Sequence, residues 1–256
     1  MMKSAYLLTL NGEEEMRKLV ILPKNFNKKE DIYTYYFNLD ILRIIEEGGI
    51  VKVLYEDKKD EIIGLVCAEF YDNYLIIPYL LAPNLPLKSK LLSQILKETS
   101  DKRIILKIPS NEEKFIQYLM GNNFKLINTF ILFLGKEDIL KIEKPSVNYE
   151  ELKTSVETIN STIFFYLLLQ KNCIGILNAQ KLGMSFPIVR ISSIYIEEKY
   201  RNQKLGNFLL FSFLSFLFKE KKYFVVTEVP LGNLPAIRLF SSFNFGIIGS
   251  YKVLIR

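Results

Sequence analysis

Runs of apolar residues alternate with polar segments along the first half of the chain, and their lengths predict strands and helices in turn. Short apolar runs bounded by polar turns predict strands. Apolar positions with helical spacing, ended by a Gly-Gly pair, predict the first helix. The predicted strands are 18–22, 50–55, 62–70, 74–81 and 103–108, with a strand pair up to residue 134, and the predicted helices are 28–47, 88–98 and 112–121.

The second half repeats this order after a charged segment, 136–148, that contains Pro145. Charge and proline together indicate a linker, with a boundary near residue 140. We therefore predict two domains, 1–138 and 139–256. In the second domain the predicted helices are 149–158, 205–219 and 234–240, and the predicted strands are 162–170, 173–178, 188–196 and 224–229, with a final strand pair over 245–255.

The two halves also share letters in the same order. RIILKIPSN (103–111) and FVVTEVPLGN (224–233) both contain an apolar run, a proline and a following asparagine. The other matched positions are an aromatic residue seven places after that asparagine, a later phenylalanine and an upstream glycine: Tyr118 and Phe240, Phe124 and Phe245, Gly64 and Gly175. These matches predict a duplicated domain rather than one large one.

Composition narrows the possible chemistry. Hydrophobic residues make up 49% of the 256 positions, enough for a buried core. The chain contains no histidine, which excludes Ser-His-Asp and Cys-His catalysis and any zinc site with a His ligand. The two cysteines, Cys67 and Cys173, lie in separate apolar runs, so we expect no metal site, no disulfide framework and a reducing, cytoplasmic location.

Membrane insertion is not expected. The N-terminus becomes acidic too early for a signal peptide. The most apolar stretch, 209–218, has ten residues, whereas a bilayer span needs about 20. We therefore predict a soluble protein in which this stretch is a buried helix. Because it is apolar on nearly every face, a second surface is expected to cover it, either the other domain or a partner subunit in a homodimer.

A strand, a polar turn and a helix follow one another over 194–206. Such a helix N-terminus presents unpaired backbone N–H groups and a partial positive charge, which together bind phosphate. Gly206 allows the backbone to approach an anion, and Arg201 and Lys204 add positive charge. The alternative is an ordinary strand-to-helix turn with solvated charges.

Arg201-x-x-Lys204-x-Gly206 resembles the acetyl-CoA signature of the GNAT acetyltransferase superfamily, [Gln/Arg]-x-x-Gly-x-[Gly/Ala]. Downstream, Asn233, Ala236, Leu239-Phe240 and Phe245 are similar to the family's Asn-x-x-Ala-x-x-Leu-Tyr-x-x-x-Gly-Phe. The resemblance covers about residues 145–256, and the first half matches by strand order, Gly64 and the 111–124 segment. The chain thus resembles a tandem GNAT protein with a degenerate first copy.

This resemblance implies an α/β (α+β) fold of two GNAT-like domains, each a mixed, mostly antiparallel central sheet flanked by helices. It implies acetyl-CoA as co-substrate and no metal. The fourth and fifth strands of the second domain should splay apart, with the pantetheine arm pairing along the fourth. The residues that the resemblance assigns to the cofactor are Ile194, Ile196, Arg201, Asn202, Gln203, Lys204, Leu205, Gly206, Asn233 and Phe240.

Three positions depart from the family pattern. Lys204 replaces the middle glycine of the phosphate loop, and requires either an ordinary right-handed backbone or strain. Phe240 stands where many members have a general-acid tyrosine, and phenylalanine cannot donate a proton. Asn244 replaces a glycine and tolerates left-handed geometry. The first copy has APNLPL in place of the phosphate loop, and its prolines lack N–H donors, so we expect a structural or substrate-shaping role there, with Tyr118 as a packing residue.

The resemblance also implies a catalytic arrangement. The backbone N–H of Ile196 would stabilise the tetrahedral oxyanion. Glu228, at the end of the fifth strand, and Glu197, just past the fourth, are candidate bases for an acceptor amine. We expect an N-acyltransferase, most simply an acetyltransferase in which the amine attacks directly. The alternatives are a catalytically silent acyl-CoA-binding or partner-binding module, and, less favoured because the +6 net charge is dispersed, a nucleic-acid binder.

Overall fold

The computed structural model describes residues 5–9, 41, 44, 48–56, 61–99, 102–135, 142–182, 188–220 and 223–256. The predicted strand 18–22 and most of the predicted helix 28–47 lie outside these residues. Within that helix, Ile41 and Ile44 are helical and buried.

Besides the helical residues Ile41 and Ile44 and the single helical turn Glu198–Tyr200, the described part of the chain contains twelve strands and four α-helices. The strands are β1 (Ala5–Thr9), β2 (Ile50–Glu56), β3 (Glu61–Phe70), β4 (Tyr74–Leu81), β5 (Arg103–Pro109), β6 (Lys125–Gly135), β7 (Leu152–Ile159), β8 (Thr162–Leu169), β9 (Asn172–Leu182), β10 (Ile188–Ile196), β11 (Phe224–Pro230) and β12 (Gly246–Ile255). The helices are α1 (Leu85–Glu98), α2 (Glu113–Gly121), α3 (Leu205–Glu220) and α4 (Leu234–Ser242).

These elements form two compact units, 1–130 with 250–256, and 131–249. The first unit contains the strand order β1-β2-β3-β4-β5, and 251–255 of β12 pair antiparallel with β5. Only β4 and β5 pair in parallel among its registered strands. One core cluster is formed by buried residues of β3, β4, β5, β12, α1 and α2, and a second by buried residues of β2 and β3 with Ile41 and Ile44. The domain ranges 1–138 and 139–256 stay a prediction, since a compact unit is not the same as an independently folding domain.

The second unit contains the strand order β6-β11-β10-β9-β8-β7. Again one registered pair is parallel, β10 with β11, and the β7-β8-β9-β10 series is antiparallel. Helix α3 packs on this sheet through Phe213, Leu214 and Leu217, which are fully buried. Both units are therefore mixed, mostly antiparallel sheets flanked by helices, and the predicted fold class is confirmed.

The duplication is visible in the order of elements. Strands β2 to β6 with α1 and α2 follow the same sequence as β8 to β12 with α3 and α4. The ends of α2 and α4 match in detail, because Asn123 and Asn244 are left-handed at φ 67° and 57°. In each case a buried phenylalanine follows, Phe124 or Phe245, whose N–H donates back into the helix. Asn244 thus has the geometry expected of it.

Three sequence predictions about elements were wrong. Residues 149–158 were expected to be a helix, but 152–159 form strand β7, paired along its whole length with β8 through a turn at left-handed Asn160. LKTSVETI is rich in β-branched residues, and β-branched side chains favour strands. The strand pairs expected up to 134 and over 245–255 are the single strands β6 and β12, with no turn inside either.

Part of the surface of α3 is only partly covered by the rest of the second unit. Phe211, Phe216 and Phe218 are half-buried, and the first two line an open groove of about 350 Å³. The predicted covering of this face by another domain or subunit stays a prediction.

Candidate functional site

A fork between β10 and β11 lies at the centre of the second unit. The two strands pair in parallel from Ile188–Phe224 to Ile191–Thr227 and have no paired residues beyond. At this last pair the Thr227 hydroxyl donates to the Ile191 carbonyl at 3.1 Å. The register of β10 against β9 also shifts between Ile191 and Ser193, the mark of a bulge. The predicted splaying of these strands is thereby confirmed.

Beyond the last pair with β11, backbone N–H groups of β10 face the opening between the two strands. The Glu197 N–H donates to the Ile174 carbonyl in β9 at 2.9 Å. Successive N–H groups of a strand point to opposite edges, so those of Ile196 and Ile194 face away from β9. Consistent with this, the Ile196 carbonyl accepts a hydrogen bond from Arg201 rather than from β9. The N–H groups of the two predicted pantetheine-pairing residues thus face the fork, while the Ile196 carbonyl is occupied by Arg201.

Helix α3 begins without a cap, unlike two other helices. Asn84 accepts from the Leu87 N–H at the start of α1, and Asn233 accepts from the Ala236 N–H at the start of α4. Within the described residues, no protein oxygen accepts from the backbone N–H groups of 204–207, and the first turn of α3 has no acidic residue. The partial positive charge at this helix end is therefore uncompensated by the protein, and the chemistry fits an anion.

The turn before α3 is left-handed at two places. Asn202 has φ 62° and Lys204 φ 60°. Lys204 thus keeps the backbone conformation that a glycine would adopt, at a cost of about 1–2 kcal/mol for a residue with a Cβ. At Gly206 an added Cβ would meet only the Leu239 Cδ2, at 3.9 Å. The space beside Gly206 is open, as an approaching phosphate requires.

The side chains of the turn are partly engaged with the protein. Arg201 folds back, with its Nε donating to the Ile196 carbonyl at 3.0 Å and its guanidinium carbon 5.6 Å from the Tyr195 ring centroid. Leu205 is buried in the core, so only its backbone is available to a ligand. Asn202 and Lys204 are exposed.

Two predicted cofactor residues have structural contacts of their own. Asn233 is exposed and caps α4. The Phe240 ring is buried, packed against Phe133 at 6.1 Å and Phe245 at 5.2 Å between ring centroids. Their contact with the cofactor stays a prediction.

The two candidate bases differ in their surroundings. The carboxylate of Glu197, half-buried, lies 3.4 Å from the Lys199 ammonium, and this hydrogen-bonded contact raises the pKa of Lys199. Glu228 lies on β11, one residue past Thr227 and on the opposite face of the strand, and it is half-buried. Of the two, Glu228 is the nearer to the fork along the chain.

Sequence reasoning missed three contacts around the site. Tyr149 donates to the side chain of Gln203 in the turn. On the sheet, Asn178 Nδ2 donates to the Ser193 hydroxyl at 3.0 Å, beside the bulge. The third contact is the hydrogen bond from Thr227 to Ile191. The sequence offered a signal for it, because Thr227 is a polar residue inside the mostly apolar run 224–229. The other contacts join positions distant in sequence and carry no local pattern.

The corresponding turn of the first unit is filled by the chain itself. Besides the Asn84 cap, α1 has Pro86 in its first turn. The buried Lys88 ammonium forms an ion pair with Glu112 and lies 5.6 Å from the Phe115 ring centroid. Tyr118 stacks on Phe115, with centroids 6.1 Å apart. An uncapped amide turn like that of α3 is therefore not present at α1.

Comparison with known proteins agrees with this geometry. The sequence model of the acetyltransferase (GNAT) family matches residues 136–245. A tandem GNAT protein from the clavulanic acid biosynthesis pathway, solved without AcCoA, superposes with a TM-score of 0.73 at 11% identity, over 99% of this chain and 98% of that one. No curated protein sequence matches.

Two further structures have the same fold. A GCN5-related N-acetyltransferase from Sphaerobacter thermophilus has a TM-score of 0.65 at 9% identity, covering 80% of each chain. A Drosophila protein has a TM-score of 0.68 at 10% identity, covering 98% of each chain. At these identities the likeness shows the fold alone.

Residues 136–245 of this chain thus match the GNAT acetyltransferase family, and the whole chain has the fold of a tandem GNAT protein. Among the residues that the structure describes, no helix is long and apolar enough to cross a membrane. The same residues contain no cluster of three or more metal-binding side chains.

Proposed function

We propose that the second unit is an acyl-CoA-dependent N-acyltransferase that transfers acetyl from acetyl-CoA to an amine. The observation that carries this proposal is the uncapped turn at 204–207, which follows a strand whose Ile194 and Ile196 N–H groups face a fork. A pyrophosphate needs unpaired N–H donors, and a pantetheine amide needs a strand edge. Both are present in one continuous segment of chain.

In this arrangement the backbone performs most of the binding. The N–H groups of 204–206 would hold the pyrophosphate, and the exposed Lys204 ammonium would pair with it. Asn202, Gln203 and Leu205 shape the turn, and Arg201, Asn233 and Phe240 remain proposed cofactor contacts. The edge of β10 at Ile194 and Ile196 would pair with the pantetheine amides and so fix the thioester relative to the fork.

Catalysis then depends on two groups. Glu228 takes a proton from the acceptor amine, whose nitrogen forms the new C–N bond at the thioester carbonyl carbon. The Ile196 N–H donates to the oxyanion that develops there, a type of contact worth about 10²–10³-fold in rate. The C–S bond breaks and CoA leaves as a thiolate, which a thiol pKa of about 8.5 permits without an acid. Glu197 is the weaker candidate base because it lies farther along the chain from the last paired residues of the fork than Glu228 does.

The first unit has a supporting part in this proposal. Its Asn84 cap, its proline and the buried Lys88–Glu112 pair leave no place for a pyrophosphate at α1. We propose a structural or substrate-shaping role for this unit, a cytoplasmic location from the cysteine content, and an amine acceptor from the family chemistry.

Acetyl-CoA titration by calorimetry tests the proposal, followed by measurement of free CoA release with a panel of amines. The expected result is saturable binding and amine-dependent release. Lys204→Glu should abolish binding, whereas Lys153→Glu, the same charge change on exposed edge strand β7, should leave it intact. Absence of binding by the native chain would refute the proposal.

One observation favours a second candidate, a GNAT module that binds acyl-CoA without turnover. Phe240 has no hydroxyl, and its ring is buried against Phe133 and Phe245. This candidate predicts binding of acetyl-CoA, no CoA release with any amine, and no gain from Phe240→Tyr.

A further inference from the structure

Besides Arg201, the turn that precedes α3 contains a second side chain that bonds to other parts of the second unit, Gln203. Gln203 lies between the two left-handed residues, Asn202 and Lys204. Its Oε1 accepts from the Tyr149 hydroxyl, and its Nε2 donates to the Lys199 carbonyl at 3.3 Å. A strained backbone persists only when surrounding contacts fix it. The two side-chain hydrogen bonds of Gln203 thus connect the backbone between the two left-handed residues to Tyr149 and Lys199.

Tyr149 is itself firmly placed. It is half-buried, packs against the core of the second unit, and meets Tyr200 edge to face with ring centroids 6.4 Å apart. Tyr200 belongs to the single helical turn Glu198–Tyr200 that precedes the left-handed residues. Tyr149 thus contacts the turn twice, through its ring at Tyr200 and through its hydroxyl at Gln203.

We propose that Tyr149 is a positioning residue for the pyrophosphate turn, acting through Gln203. Its hydroxyl holds the Gln203 side chain, and this keeps the backbone between 202 and 204 in the shape that aims the N–H groups of 204–206 outward. Tyr149 comes from the segment before β7, so residues outside the Arg201–Gly206 motif determine whether the motif is ready to bind. The inference rests on the proposed function of the second unit.

The test compares ligands that do and do not contain pyrophosphate. Tyr149→Phe keeps the ring and its packing and removes only the hydroxyl. Losing one neutral hydrogen bond should weaken binding of acetyl-CoA about three- to tenfold by calorimetry. S-acetylpantetheine, which lacks the pyrophosphate, should bind with an unchanged Kd in the same calorimetric assay. Tyr166→Phe, which removes a hydroxyl bonded to Glu157 on β7, is the matched control and should change neither.

A double-mutant comparison shows whether Tyr149 acts through Gln203. Gln203→Ala should weaken acetyl-CoA binding, and adding Tyr149→Phe to it should weaken binding no further. Equal loss of affinity for acetyl-CoA and S-acetylpantetheine in Tyr149→Phe, or additive losses in the double variant, would overturn the inference while leaving the proposed function in place. Failure of the native chain to bind acetyl-CoA would overturn both.

Discussion

Lys204 provides the most direct test of the geometry of the turn, because strain and charge can be separated there. The residue is left-handed at φ 60° and its side chain is exposed. A left-handed backbone costs a residue with a Cβ about 1–2 kcal/mol, and replacing Lys204 by glycine removes this cost. The greater freedom of glycine in the unfolded chain offsets about 0.5–1 kcal/mol of that gain in stability. Lys204→Gly should therefore stabilise the fold by about 0.5–1 kcal/mol.

The assay is thermal unfolding followed by circular dichroism. For a unit of this size the gain corresponds to a rise in Tm of about 1–4 °C. Acetyl-CoA affinity should fall at the same time, since the ammonium that pairs with phosphate is lost. Lys204→Ala removes the same ammonium but keeps a Cβ, so it should lower affinity without raising Tm.

Two results would contradict this reasoning. A Tm for Lys204→Gly equal to or below that of Lys204→Ala would mean that the backbone is not strained at this position. An unchanged acetyl-CoA affinity in both variants would mean that the ammonium does not contact the ligand.

Two further predictions concern the fork. At Gly175 on β9 an added Cβ would lie 2.6 Å from the Ile196 Cδ1 and 3.1 Å from the Tyr195 carbonyl oxygen. Gly175→Ala should therefore turn the Ile196 side chain aside, crowd the β10 backbone at Tyr195, lower stability by about 1–3 kcal/mol and weaken acetyl-CoA binding. Gly121→Ala, with nothing within 4 Å, is the control, and equal effects of the two by calorimetry and thermal unfolding would refute the packing argument. In steady-state kinetics, Glu228→Gln should lower kcat about 10²–10⁴-fold with an unchanged KM for acetyl-CoA. Glu197→Gln should lower kcat far less. A larger loss of kcat in Glu197→Gln than in Glu228→Gln would assign the base to Glu197.

Most of the fold was predictable because the spacing of apolar residues along the chain matches the strands and helices that form. Strands β4 and β10 were predicted with their observed ends, since each is a mostly apolar segment bounded by polar turns or breaks. The segment 149–158 was mispredicted because the helix expected from the repeat outweighed the β-branched composition of LKTSVETI. In the structure a two-residue turn at Asn160 joins β7 directly to β8.

The site was predictable only where backbone geometry follows from a local motif. Arg201, Lys204 and Gly206 indicated a phosphate turn, and the fork followed from the family resemblance. The hydroxyl of Tyr149 lies 54 positions before Gln203, so no local pattern could reveal that contact. The folding back of Arg201 onto the Ile196 carbonyl was equally invisible, because it depends on where a side chain turns after the helical turn 198–200.

A crystal structure of the chain soaked with acetyl-CoA tests the central claim most directly. The account predicts pyrophosphate oxygens within hydrogen-bonding distance of the backbone nitrogens of 204–206, the pantetheine arm along the edge of β10 at Ile194 and Ile196, and no nucleotide at the start of α1. A pyrophosphate bound beside Asn84 and Lys88, or protein oxygens occupying the N–H groups of 204–206, would contradict it.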